Sequence, residues 1–456
     1  MSEETTFVLE KNDVRNLIRD RKIIQLRSYL SEMYEADIAE LMDDLNDKVL
    51  ALLLFRMLPK LKAVEVFSFL SIENQREIIN AISDSELPYL IDNTFFDDVI
   101  DMIEEMPAEF VNRVLINIAP EKRKLVNQFL NYPEDSAGGL MTIEYVRLTE
   151  DMTVGQSLFH VRETGLKKET VYTCYITNLH EKLIGIVSLR ALVTEDPAKK
   201  ITDIMEKDII VVNTNDDQEI VADMFKRYDL LAMPVVDSLG RLTGIITVDD
   251  IIDVIEQEAT EDFQIMAAMT PSETEYLDTS IFNLAKHRII WLLVLLISAT
   301  FTGNIMKSFS NTLESLILLG MFIPMLMDTG GNAGSQSSTL IIRGLATGDI
   351  KLSDAFKVLK KEFFISLICG VVLSAVNFAR ILIFEPTVPA LVALTVSLTL
   401  ITTVVMAKVI GGLLPMMAKK LKLDPAIMAG PLITTIVDAM SLIIYFNVAQ
   451  AILHIA

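Results

Sequence analysis

The stretch AIMAGPLITTIVDAMSLIIYFNVAQAIL, Ala426 to Leu453, decides how the rest of the chain is read. It is long and apolar enough for a helix to cross a bilayer, which takes about 20 residues. Its one charged side chain is Asp438. A carboxylate in the middle of a span costs about 3 kcal/mol or more unless it faces a partner, water or an ion. Asp438 is therefore a candidate functional residue.

Similar apolar runs precede it. Five spans are expected, at Arg288–Lys307, Leu313–Met327, Phe363–Phe384, Val388–Met417 and Ala426–Leu453. The second is short. Basic residues orient them: Lys286 and Arg288 precede the first span, Arg343, Lys351, Lys357, Lys360 and Lys361 separate the second from the third, and Lys419, Lys420 and Lys422 separate the fourth from the fifth. The opposite-side loops offer only Lys307 and Arg380. The positive-inside rule then places the N-terminal half in the cytoplasm and the C-terminus outside. The charged opening residues, with no apolar signal core, agree with that placement.

The remainder of the chain is of another character. A formal charge of -22 on a chain that is 51% hydrophobic fits an acidic water-facing part joined to an apolar membrane part. The excess negative charge disfavours nucleic acid and favours cations. Two distant cysteines, Cys174 and Cys369, support no disulfide framework. The four histidines have no metal-ligand spacing and no nucleophile motif or phosphate loop stands out, so an enzyme is not expected.

Residues 1–133 contain short helical patterns such as DIAELMDDL and EFVNRVLINI, broken by Pro59, Pro88, Pro107, Pro120 and Pro133. A solenoid-like stack of helical hairpins and an ordinary helical domain both fit. Residues 135–255 hold a weak duplication: LMTIEYVRLTEDMTV is echoed by IMEKDIIVVNTNDDQE, and EKLIGIVSLRAL by GRLTGIITVDDI. Each copy reads strand, helix, strand, turn, strand, helix, with tight turns expected at Gly185 and Gly244. This α/β pattern resembles a tandem CBS pair. Where such modules hold a ribose, a small hydroxyl residue precedes an aspartate by three positions. Thr247 and Asp250 match, whereas Ser188 is followed by Ala191, so one such site is incomplete and ATP is a candidate second ligand at the other.

Two stretches lack any Lys or Arg. One, between Arg76 and Arg113, includes Asp97, Asp98 and Asp101; the other, between Arg241 and Lys286, runs from Asp249 and Asp250 through Glu258, Glu261 and Asp262 to Glu273, Glu275 and Asp278. Carboxylates at helix spacings of three and four repel one another, so something should neutralise them.

Within the membrane part, PMLMDTGGNAGSQSS (Pro324–Ser338) suggests irregular backbone lining a watery cavity, with Asp328 and Asn332 suited to a hard cation. Close helix packing through the glycines is the alternative. In GPLITTIVDAM (Gly430–Met440), Thr434, Thr435 and Asp438 share a helix face with Pro431. Lys408, inside the fourth span, is expected to snorkel to the cytoplasmic interface.

The runs Pro324–Gln336 and Gly430–Asp438, with the order of helical domain, CBS pair and five spans, resemble the MgtE family of magnesium channels. The resemblance covers essentially the whole chain. It implies a multidomain protein: a cytoplasmic helical domain (1–133), a CBS pair (135–255), an acidic connecting or plug helix (249–280) and a five-helix transmembrane domain (286–456) in the cell membrane. It implies a homodimer in contact with lipid, with the ion pore on the shared axis. Asp438 would bind hydrated Mg2+, with Gly331, Asn332, Gly334 and Thr434 as pore neighbours. Regulatory Mg2+ would lie at Asp97, Asp98, Asp101, Asp229, Asp250, Glu258, Glu261 and Asp262. A Na+- or H+-coupled carrier and a CBS-regulated sensor that transports nothing are the competing functions.

Overall fold

The computed structural model describes residues 9–45, 47–272, 276–277 and 279–455; Glu273, Glu275 and Asp278 lie outside the described residues. The chain divides into two compact units, Met1–Ile255 and Glu256–Ala456.

Among the described residues, the first unit begins with ten short helices: α1 (Lys11–Arg19), α2 (Ile23–Glu32), α3 (Glu35–Asp44), α4 (Lys48–Met57), α5 (Lys60–Ser68), α6 (Ile72–Ala81), α7 (Leu87–Asn93), α8 (Phe96–Glu105), α9 (Ala108–Asn117) and α10 (Pro120–Phe129). Proline sets the breaks. Pro59 and Pro107 stand immediately before α5 and α9, and Pro88 and Pro120 occupy the first turns of α7 and α10. Proline has no N–H to lose at those positions and cannot continue the preceding helix. Helices two apart in sequence pack together: α3 on α5, α4 on α6, α5 on α7 and α7 on α9. That repeating neighbour pattern is the solenoid-like arrangement, and a core including Leu54, Phe67, Ile91 and Phe96 runs through it.

Two small sheets follow. β1 (Tyr145–Thr149), β2 (Thr170–Thr177) and β3 (Leu183–Ser188) form the first, with α11 (Val154–Thr164) after β1 and α12 (Leu189–Thr194) after β3. β4 (Val212–Asn213), β5 (Ala232–Val236) and β6 (Leu242–Thr247) form the second, with α13 (Gln218–Tyr228) after β4 and α14 (Val248–Met266) after β6. In both, the first strand pairs parallel to the second and the second antiparallel to the third. The duplication is thus structural.

The turns expected at Gly185 and Gly244 are not there. Both glycines stand third in their strands, β3 and β6. They are small because the other copy presses on them: Gly185 receives the Met205 side chain, and a Cβ on Gly244 would stand 2.8 Å from Met141 Cγ. The exchange is reciprocal in the backbone too. Ile186 and Glu206 bond each other N–H to C=O in both directions, as do Thr142 and Ile245.

The second unit contains the end of α14, then α15 (Ile281–Ser308), α16 (Ser310–Ser315), a 3-10 turn over Ile317–Phe322, α17 (Ile323–Ala346), α18 (Ala355–Phe384), α19 (Ala390–Lys420) and α20 (Gly430–Leu453). Among the described residues, four segments are long and apolar enough to cross a membrane: Ile281–Ser308, Leu352–Phe384, Ala390–Lys420 and Pro425–Leu453. The span expected at Leu313–Met327 is no single helix. It is divided among α16, the 3-10 turn and the first residues of α17.

The irregular backbone expected over Pro324–Ser338 is also absent. That segment lies wholly within continuous α17. Its proline takes the tolerated first-turn position, and its glycines admit neighbouring helices. A Cβ on Gly331 would meet Thr434 at 3.0 Å, and one on Gly334 would meet Ile433 at 2.8 Å. Small residues that let helices approach closely are the usual currency of packing in lipid, where no hydrophobic drive separates helix from solvent.

Candidate functional site

In the second unit the glycine face of α17 turns toward α20, and a polar stripe runs beside it. Asp328, Asn332, Gln336 and Thr339 are exposed, at spacings of four, four and three residues that share one helix side. On α20, Thr434, Thr435 and Asp438 are half-buried. Asp328 is near enough to Asp438 to act on it electrostatically. Both threonine hydroxyls donate to the Pro431 carbonyl at 2.9 Å, which fixes their rotamers and leaves their oxygen lone pairs free to accept. α17 and α20 therefore bring Asp438, Thr434, Asn332, Gly331 and Gly334 into one neighbourhood. Gly331 and Gly334 contribute closeness rather than oxygen, since they are buried and helical.

A second site stands at the end of α14. Burial, then Asp424 and Glu258, push the Asp262 carboxyl up to about 6. Asp424 caps the 3-10 turn over Pro425–Met428 by accepting from the Ala426 N–H at 2.8 Å. Next to it, Ile265 and Met266 pack with Ile342, Ala426 and Ala429. The Met266 carbonyl lies 3.0 Å from where a Cβ on Gly430 would be. Gly430 has φ +31°, in the region where L side chains are strained. So α14 ends against the first turn of the helix that carries Asp438. Sequence reading missed Asp424, whose only signal was an acid before a proline at a helix start.

The third site belongs to the first unit. α8 presents Asp97, Asp98 and Asp101, and the start of α14 presents Asp249 and Asp250. Glu144 and Glu169, both missed in the sequence, join them. These seven groups are all acidic, and the Lys122 ammonium of α10 acts on Glu144 from beside them. Burial first, then Asp250 and Asp98, holds Asp97 well above the usual carboxylate range, and Asp97 is 9% exposed. Burial, again with neighbouring carboxylates, raises Asp98 to about 6, Asp101 to about 7, Asp250 to about 6 and Glu169 to about 8. Thr247 Oγ1 donates to Asp250 Oδ2 at 2.7 Å, and Thr142 Oγ1 donates to Glu144 Oε2 at 2.7 Å. Among the described residues, Asp97 Oδ1 and Glu169 Oε2 are buried and find no hydrogen-bond partner. Buried polar atoms without partners are costly and call for an explanation. Among the described residues no three His, Cys, Asp or Glu side chains close around a point that would chelate a bare metal ion. Carboxylates that meet a cation through its water shell, as with Mg2+, need not close around one point.

Two expected residues lie elsewhere. Asp229 is exposed and ends α13 in the left-handed conformation at φ 52°, a cap position that aspartate tolerates. Lys408 does not snorkel. It is 6% exposed and turns inward among α17, α18 and α19. Thr247, expected to meet a ribose, is engaged with Asp250.

These features define a membrane transport protein that carries a helical domain and a CBS pair. Family comparisons carry the class further: residues 323–448 match MgtE, a divalent cation transporter family, residues 33–135 match the MgtE intracellular N domain, and residues 201–257 match the CBS domain. The chain is 37% identical to the magnesium transporter MgtE of Thermus thermophilus over 94% of this chain and 95% of that one. It is 33% identical to the Bacillus subtilis magnesium transporter MgtE over 96% of each. Among solved structures, the cytosolic domain of the Mg2+ channel MgtE in complex with ATP matches with a TM-score of 0.50 and 36% identity, covering 54% of this chain and 99% of that one. The soluble part of a magnesium transporter matches at 0.50 and 26%, covering 55% and 98%. The chain belongs to the MgtE family of magnesium transporters, a family of transporters rather than enzymes.

Proposed function

We propose that this protein is a Mg2+ channel for magnesium uptake, gated by Mg2+ on the cytoplasmic side. The observation that carries the permeation half is the polar stripe of α17 beside Asp438. It offers carboxylate, amide and hydroxyl oxygen to a cation in an otherwise apolar helical unit. Mg2+ gives up water reluctantly, so one or two carboxylates acting through its hydration shell suffice. Two chains facing across a shared axis would set two Asp438 carboxylates on one divalent ion and neutralise both. In this reading α17 is the fifth crossing helix, the cytoplasmic side holds the first unit, and the C-terminus lies outside. α15, which has no buried residue, faces lipid or the partner copy.

The gating half rests on the acidic cluster. Asp97, Asp98, Asp101, Asp249, Asp250, Glu144 and Glu169 repel one another unless cations or protons compensate them. When cytoplasmic Mg2+ is abundant, it binds there and favours the compact closed state; when Mg2+ is scarce, repulsion favours opening. Asp262, on which Asp424 and Glu258 act, is a second candidate Mg2+ residue where α14 meets α20. Linkage requires only that Mg2+ bind the closed state better than the open one. ATP at Thr247 is a further regulatory ligand in this reading. It is supported by the similar cytosolic domain of a Mg2+ channel, whose structure was solved in complex with ATP, and it competes with Mg2+ for Asp250.

Recording from the purified protein in planar bilayers tests the proposal. A channel passes Mg2+ current with no Na+ or H+ gradient present, and cytoplasmic-side Mg2+ suppresses it. Mg2+ flux that stops when the Na+ and H+ gradients are removed would replace the channel with a coupled carrier.

A further inference from the structure

The second unit buries a cation and an anion to which the sites above assign no role. Glu362 of α18 is 7% exposed and Lys408 of α19 is 6% exposed. One hydroxyl joins them: Ser337 Oγ of α17 donates to Glu362 Oε2 at 2.6 Å, and Lys408 Nζ donates to Ser337 Oγ at 3.5 Å and to Gln336 Oε1 at 3.4 Å. The first bond is short and charge-assisted, and the ammonium contacts are at the long end of hydrogen bonding. Gly412 makes the arrangement fit. A Cβ there would stand 3.3 Å from Glu362 Cγ, so the glutamate stem lies across α19 one turn beyond Lys408.

We infer that Lys408, Ser337 and Glu362 form a buried, charge-compensated strut that fixes the register of α17 against α18 and α19. Gln336, which Lys408 also touches, belongs to the exposed stripe with Asp328 and Asn332. The strut therefore grips α17 from the side of α18 and α19 and sets where the stripe faces. Lys408 and Glu362 are positioning residues: Lys408 acts on the stripe through Gln336, and Glu362 acts on α17 through Ser337. The inference rests on the reading that this stripe lines the ion path.

A buried pair is costly to break and much less costly to remove whole, because breaking it strands one charge. Mg2+ uptake into proteoliposomes, with the yield of folded full-length protein, tests this. K408M and E362Q are each expected to lose at least tenfold in uptake rate. K408M/E362Q removes both charges and is expected to recover to within threefold of the parent rate. S337A keeps both charges and is expected to fold at parental yield while raising the Mg2+ concentration for half-maximal uptake at least threefold. A merely structural role would not move that concentration. Should either single charge variant fail to fold, the double variant and S337A decide alone. A double variant no better than the product of the singles, or S337A with parental half-saturation, would overturn the strut. D438N is run beside them: uptake at the parental rate there would sink the ion-path reading itself, whereas loss in D438N with additive charge variants would sink the strut only.

Discussion

Two regions of the molecule bury charge in opposite ways. In the interior of α17, α18 and α19, Glu362 meets Lys408 through Ser337, and the charges balance within the chain. On α8 and the start of α14, Asp97, Asp98, Asp101 and Asp250 gather with Glu144 and Glu169, and it is burial and other carboxylates that push their protons on. The first arrangement is complete as folded. The second is conditional, since it needs protons or ions from solution to reach its lowest free energy. Asp438 stands with the second kind. In the proposed function, the cation supplies the counter-charge that these carboxylates lack.

That contrast breaks first at Asp438. D438N should lower Mg2+ uptake at least tenfold, equivalent to about 1.4 kcal/mol in the barrier. Isotope flux into vesicles checks it, and uptake within twofold of the parent would remove Asp438 from the path. The conditional cluster comes next. D97A, D250A and E258A combined should shift inhibition by cytoplasmic Mg2+ to at least about fivefold higher concentration, the low end of ordinary allosteric coupling. An unchanged dose–response curve would end the sensor assignment.

Packing around the compensated interior gives an effect of intermediate size. A Cβ on Gly411 would run into the Gly334 carbonyl, which is backbone and cannot yield. G411A should destabilise the fold by about 1–3 kcal/mol, the usual cost of overpacking. Thermal unfolding in detergent measures this, and a parental melting temperature would show that α17 and α19 stand further apart.

The smallest expected effect is one of pH. Folded-state values of about 6 to 8 for Asp98, Asp101, Asp250 and Glu169 lie above those of the unfolded chain, so the native state holds more protons in that interval. Their contribution to stability is complete below about pH 4 and is lost as pH rises through the folded values. Without Mg2+, the melting temperature should therefore fall between about pH 5 and 8, and saturating Mg2+ should flatten that slope. A Mg2+-independent slope would mean that protons, but not ions, compensate the cluster.

Much of this was legible in the chain. The order of parts, the proline-punctuated helices and the duplicated strand pattern all lie in local sequence, where periodicity and breakers speak directly. What was hidden depends on meetings between distant segments. Pro324 and three glycines in one stretch read as broken backbone, yet α17 is unbroken, because the glycines answer Thr434, Ile433 and Thr403 on other helices. Glu144, Glu169 and Asp424 look like ordinary surface acids until the fold brings them beside other carboxylates. Lys408 had no visible counter-charge, because Glu362 lies on a different helix and reaches it through a serine.

The crossed contacts of the duplicated sheets make each repeat depend on the other. Met205 of the second repeat fills the gap over Gly185 of the first, and Met141 of the first fills the gap over Gly244 of the second. Each repeat thus carries a plug cut for its sibling's socket. A gene truncated after one repeat would encode a sheet with an open socket and an unused plug. A single repeat of this kind would need a second one, with the same plug and socket, to close both gaps.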